Sequence, residues 1–218
     1  MATVGAHLSH FVQNETHAVL GWISSAAQWF GAARLGEALE RADQGFSLAD
    51  TLASAFGFGE AVKKTVDIKE WKVSDWTSIG RVVSSGSGLV VDIAASIDFL
   101  SYVKAIVVDS GVLSQVSVIG NVASLTKNVY KLANEVQKIA QFALKPGHIN
   151  ELKWIRQSTK LVRTVMRAVG AILGIGALLG AFAVSTTALL VIASVGLVFG
   201  TVGYLLKREI CRLELLAE

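Results

Sequence analysis

From Ala168 to Leu206 the chain carries no charged residue. That stretch of 39 residues, AVGAILGIGALLGAFAVSTTALLVIASVGLVFGTVGYLL, limits the fold more than any other feature. As one straight helix it would be roughly 58 Å long, at ~1.5 Å per residue. A bilayer core is about 30 Å thick and is crossed by ~20 residues. One crossing leaves half the stretch over, whereas two crossings of roughly 17–19 residues use all of it. The most polar point is VSTT, Val184–Thr187, with two β-branched threonines that sustain a helix weakly. The reading is a helical hairpin with arms Val165–Val184 and Ala188–Leu206.

The flanks fit that reading. Arg163 and Arg167 precede the stretch, and Lys207 and Arg208 follow it. Basic flanks stay on the cytosolic side, so a hairpin satisfies both ends and puts both termini in the cytosol. Gly170/Gly174, Gly176/Gly180 and Gly196/Gly200 form three GxxxG pairs. Small residues four apart let membrane helices approach closely, and these six are expected to pack the hairpin. The competing reading is a hairpin buried in a soluble bundle, whose other helices would have to cover every face of two Gly-rich helices.

Composition bounds the rest. Hydrophobic residues make up 52% and charged ones 17%, an apolar and charge-poor balance for a soluble domain. The formal net charge of +3 is too small to argue for nucleic acid. A single cysteine, Cys211, excludes an intrachain disulfide and with it the stapled secreted folds. The first basic residue is Arg34, so no charged n-region of a signal peptide and no Arg-rich presequence is legible.

An all-α fold is expected. Pro146 is the one proline, apolar periodicity is long, and no stretch alternates polar and apolar residues for long. Residues 4–33 read as a helix, GAARLGEALERADQG as a short helix ending at Gly45, and Ser47 as an N-cap for the next. Asp75 caps a helix whose apolar face runs from Ile79 to Val103. SSGSG at 84–88 reads either as a kink in it or as a site of close packing. DSG at 109–111 is a turn, and KPGHIN at 145–150 is the best internal boundary. Four segments follow: a helical, cytosol-facing region 1–145, a basic linker helix 146–167, the transmembrane hairpin 165–206 and a tail 207–218.

Two helical surfaces have regular spacing. Val118, Val122, Leu125, Val129, Leu132, Val136, Ile139 and Ala143 alternate 4-3-4-3, a heptad seam. Lys127, Asn128, Lys131, Glu135 and Lys138 would then lie outside. The seam packs within the domain or meets a partner helix, including one from a second copy. Further on, Lys153, Arg156, Lys160, Arg163 and Arg167 form a continuous basic line on a helix, with Trp154 beside it. A line of cations leading into an apolar hairpin suits anionic headgroups, at roughly 1 kcal/mol per residue. These six residues are the expected lipid-binding set.

No catalytic constellation is legible. Walker A and G-x-S-x-G are absent, and the Gly-rich stretches GIGALLG and GSGLVVD miss G-x-G-x-x-G. His7, His10, Asn14 and His17 share a helix face, but a metal there would need another ligand from elsewhere. Cys211 lies just beyond the apolar stretch, where S-palmitoylation is physically plausible. No enzyme, metal or cofactor is expected.

The bilobed apolar lobes 165–184 and 188–206, their basic flanks and the heptads of 118–143 resemble the inclusion membrane proteins of chlamydiae. That resemblance implies lobes anchored in a pathogen vacuole membrane and a remainder facing host cytosol to engage a protein partner. Pore-forming colicin domains are also similar, with LKREICRLELLAE as the short helix after the hairpin. Peroxisomal membrane-elongation peroxins share the amphipathic helices and C-terminal spans.

Overall fold

The computed structural model describes residues 2–68 and 76–217, and every regular element among them is a helix. In chain order they are α1 (Ala2–Trp29), α2 (Ala33–Val66), α3 (Trp76–Tyr102), α4 (Ser110–Ala143), α5 (His148–Leu178) and α6 (Thr186–Ala217). The fold is all-α, as the periodicity predicts. The expected cap at Asp75 lies outside the described residues, as do the side chains of His7, His10 and Asn14.

Local chemistry sets the helix ends. Gly31, with φ 82°, closes α1. Asp109 Oδ1 accepts a hydrogen bond from Gly111 N at 2.7 Å and so starts α4. That helix stops ahead of Pro146, and Gly147 turns the chain with φ 121°. At the end of α5, Gly180 is left-handed with φ 68°, and Ala181 N bonds back to Gly176 O at 2.9 Å. Ser185 Oγ then accepts from Ala188 N at 3.2 Å, capping α6. The break in the apolar stretch therefore runs over 179–185, starting ahead of VSTT and taking in its first two residues. It does contain a glycine in the conformation that ends helices.

Two glycine-based expectations are corrected. Gly45 does not end a helix, and Ser47 is no N-cap: α2 runs unbroken through both, and Ser47 is buried. A Cβ on Gly45 would stand 3.2 Å from the Phe99 ring, so that glycine serves close approach. SSGSG does not interrupt α3 either. There Gly86 admits the Phe58 ring, with a Cβ position 3.1 Å from it, so of the two readings close packing is realised.

The chain forms two compact units. The first comprises Met1–Glu40, Leu132–Arg167 and Ser185–Glu218. In it α1 packs on α6, where Trp22 Nε1 donates to Ser194 Oγ at 3.0 Å. The early part of α5 runs antiparallel to the late part of α6. Lys153 pairs with Glu214 near one end of that contact, and Gly203 faces Thr159 farther along.

The second unit comprises Arg41–Lys131 and Ala168–Val184. Helices α2 and α3 lie antiparallel along a seam of polar side chains. Arg41 Nη1 donates to Asp98 Oδ2 at 2.7 Å, and Gln44 Nε2 donates to the same oxygen at 2.6 Å. The hydroxyl oxygens of Thr51 and Ser96 are 3.0 Å apart, and Ser54 Oγ donates to Asp92 Oδ2. Helices α3 and α4 are also antiparallel. Gly80 lies under the Tyr130 ring, Tyr130 Oη donates to Thr77 O at 3.1 Å, and Gly120 makes room for Ala94.

Burial is inverted relative to a water-soluble bundle. Among the described residues the buried apolar side chains are Ala168, Ala171 and Ile210, whereas Ser24, Ser47, Ser96, Asn128, Gln157, Thr159 and Thr164 are buried polar ones. Large apolar residues such as Phe56, Ile119, Ile172, Val191 and Val198 face outward. Soluble proteins expose single apolar residues freely, but a buried set made mostly of hydroxyls and amides is informative. Small and polar contacts between helices, with apolar side chains outside, are how helices associate in lipid.

Candidate functional site

Three helical stretches are long and apolar enough to cross a membrane: Thr77–Tyr102, His148–Leu178 and Thr186–Leu216. The first was read from the sequence only as an amphipathic helix. Its polar residues are small, and its two carboxylates, Asp92 and Asp98, are both hydrogen-bonded to α2. A hydropathy window over 77–102 is the signal that finds it. The C-terminal pair is less even than the expected arms. From Thr186 to Leu206 α6 is charge-free for a full crossing, but the charge-free part of α5 is only 168–178. A crossing by α5 must therefore take Arg163 and Arg167 with it.

The basic line of α5 does not form the expected outward stripe. Lys153 Nζ lies 2.7 Å from Glu214 Oε1 on α6. Arg156 Nε is buried without a hydrogen-bond partner, as is Gln157 Nε2 next to it, on a residue only 5% exposed. Lys160 is half-buried, with Glu135, Lys138, Arg156 and Lys207 as the charges around it. Arg163 and Arg167 each have a partner in the fold. Arg167 is exposed, and the other outward-facing residues of α5 include Trp154, Ile155, Val165, Val169 and Ile172. The physical reason is the neighbour. Helix α6 brings Glu214 and the glycine notch at Gly203 against the polar side of α5, and the broader apolar side is left outside. Trp154, 41% exposed, keeps the outward position that an interfacial aromatic requires.

The six hairpin glycines have different surroundings. A Cβ on Gly174 would stand 2.7 Å from Asn121 Oδ1, so this glycine meets α4. Gly176 lies under the Phe182 ring, and Gly180 is the left-handed stop. Nothing lies within 4 Å of a Cβ on Gly196. Gly200 is buried and Gly170 half-buried. Gly203 also brings α5 and α6 close in the first unit, where a Cβ would be 3.1 Å from Thr159 Oγ1. It follows Gly200 by three rather than four, so a GxxxG search misses it.

The heptad seam divides. Val118, Leu125, Leu132 and Ile139 are half-buried, whereas Val122, Val129 and Val136, seven apart, are each about half exposed. The expected outer row is not outside: Asn128 is 3% exposed, and Lys127, Lys131, Glu135 and Lys138 are half-buried. The helix is turned so that its polar row looks inward and a line of valines looks out. At the turn from α4 to α5, an apolar pocket of about 660 Å³ is lined by residues that include Phe142, Leu144, Pro146, Trp154 and Ile155. Among the described residues no group of His, Cys, Asp and Glu could hold a metal ion.

The class of molecule is thus an all-helical chain with three helices able to cross a membrane. No protein-family model, curated protein or solved structure matches it.

Proposed function

We propose that the protein is a non-enzymatic integral membrane scaffold. Its C-terminal helices hold it in the bilayer, both ends of that helix pair lie on the cytosolic side, and helical surfaces outside the anchor engage a protein partner. The observation that carries this reading is the inverted burial. Outward valines, leucines and isoleucines on α3, α5 and α6 need an apolar solvent, while the buried set is made mostly of hydroxyl and amide side chains. The outward line of Val122, Val129 and Val136 is the surface offered to a partner helix, whether from another protein or a second copy. The resemblance to chlamydial inclusion membrane proteins supports a vacuole-membrane location with a host partner.

Alkaline carbonate extraction tests the anchor: the chain should stay with the membrane pellet, and release into the supernatant sinks the reading. In a Cys211→Ser background, Asn150→Cys and Leu215→Cys should be labelled from the same side of sealed vesicles. Labelling from opposite sides would falsify the paired crossing.

A second reading has one specific observation in its favour. Basic residues of α5 turn inward beside Thr159 and Thr164, a polar interior suited to a pore-forming helical toxin. Dye release from vesicles on adding the purified chain would favour it over the scaffold.

A further inference from the structure

In the second unit, α2, α3 and α4 line an open pocket of about 300 Å³ whose polar lining includes Ser54, Ser84, Ser85, Lys127 and Lys131. None of the expectations drawn from the sequence used it. Lys127 and Lys131 are one helical turn apart and so share a face of α4. Ser84 and Ser85 bring two hydroxyls from α3. Gly57 and Gly88 complete the lining without side chains of their own, and a Cβ on Gly88 would stand 3.0 Å from Lys127 Nζ. Absence of that Cβ is what lets the ammonium lie against the α3 backbone.

The charge is unbalanced. Lys127 has no carboxylate within ion-pair distance among the described residues. Lys131 already has another interaction in the fold, and the carboxylate of Asp92 accepts a hydrogen bond from Ser54 Oγ. The donors that converge on the pocket are therefore ammonium groups from one helix and hydroxyls from another. That set matches a tetrahedral oxyanion, which accepts from several directions and is bound by lysine as a point charge. A phosphate monoester, which carries roughly −1.5 to −2 near pH 7, would supply the counter-charge that Lys127 lacks among the described residues.

We propose that this pocket binds a phosphate monoester. Its surroundings indicate a lipid source. Val83, Val90 and Ile93 are exposed on α3, a helix long and apolar enough to cross a membrane, and Val83 immediately precedes Ser84. A headgroup phosphate at Ser84, Ser85 and Lys127 would let acyl chains run along those residues. A soluble phosphate would use the same donors without that strip. Only the lipid source rests on the membrane reading; recognition of phosphate does not.

The test uses the full chain in a nonionic detergent, with phosphatidic acid, phosphatidylglycerol and inorganic phosphate as separate probes at constant ionic strength. Saturable binding of phosphatidic acid is expected, at least tenfold tighter than phosphatidylglycerol, whose phosphate is a diester. Lys127→Gln with Lys131→Gln should weaken it at least tenfold, and Lys127→Arg should largely retain it. Lys145→Gln, a charge change outside the pocket, should leave it unchanged. Should the double lysine variant lose its helical circular dichroism, Ser84→Ala with Ser85→Ala carries the test, with a loss of threefold or more. Saturable binding of inorganic phosphate that these variants weaken also supports the pocket, and assigns it a soluble ligand if phosphatidic acid is no tighter. No saturable binding of either monoester probe overturns the proposal. So does binding that neither the lysine pair nor the serine pair affects.

Discussion

The ammonium of Lys153 on α5 stands 2.7 Å from the carboxylate of Glu214 on α6. These residues lie on either side of the apolar stretch, and their pairing ties the entry of one helix to the exit of the other. Both are partly exposed, so the pair is screened by solvent and is worth about 0.2–1 kcal/mol. A double-mutant cycle with Lys153→Gln and Glu214→Gln should return a coupling in that range. It should shrink with added salt. A coupling of zero at low salt would mean that the two ends are not held together in solution.

Gly203 and Gly196 should respond in opposite ways to substitution. A Cβ at Gly203 already meets Thr159 Oγ1 at 3.1 Å, so Gly203→Leu should cost about 1–3 kcal/mol through forced separation of α5 and α6. Gly196 has open space around its Cβ position, and Gly196→Ala should gain about 0.5–1 kcal/mol of helix propensity. Thermal unfolding in detergent measures both. Equal responses would remove the close contact at Gly203.

Asp98 holds two donors at once, Arg41 and Gln44, and the Arg41 guanidinium also lies 4.7 Å over the Tyr102 ring. Asp98→Ala strips the cation of its carboxylate while leaving it half-buried. A loss of about 1.5–3 kcal/mol is expected, the range for hydrogen bonds to charged groups. Asp98→Asn retains an acceptor and should cost less. If both variants melt with the wild type, the α2–α3 seam is not stabilised there.

Gly180 is left-handed, with nothing near its Cβ position, so crowding does not enter the effect of substituting it. Gly180→Ala pays only the backbone cost of that conformation, about 1–2 kcal/mol. Gly180→Asn should cost less, because asparagine tolerates the left-handed region. An alanine variant as stable as the parent would show that α5 can run on past Leu178.

Legibility in the sequence followed the range of the interactions concerned. Two helix ends set by a neighbour in sequence were readable, whereas the left-handed stop at Gly180 reads in the sequence as a packing glycine. Asp109 caps its own helix, and Pro146 and Gly147 stop theirs without help from elsewhere. Gly45, Gly86 and Gly88 were ambiguous because a glycine in a helix is either a stop or a notch. What decides is Phe99, Phe58 or Lys127 arriving from another helix. The basic line on α5 was legible as a spacing, but the side it looks toward depends on Glu214 and Gly203. The pocket on α3 was invisible for the same reason, since its serines and lysines lie some 40 residues apart in the chain. The crossing potential of α3 was present in the sequence, and was missed because Asp92, Asp98 and SSGSG broke up its apolar pattern.

The inverted burial has a consequence for which positions can drift. In a water-soluble bundle the interior leucines and valines are constrained and the surface is free. Here outward positions such as Ile172, Val191 and Val198 need only remain oily, so one aliphatic residue serves as well as another. The hydroxyl and amide positions, Ser24, Ser96, Asn128 and Thr164, sit where shape and hydrogen bonding both matter. A saturation mutagenesis map should therefore read as the negative of a soluble protein's map. Serine and threonine would be the intolerant columns, and the large aliphatics freely interchangeable among themselves.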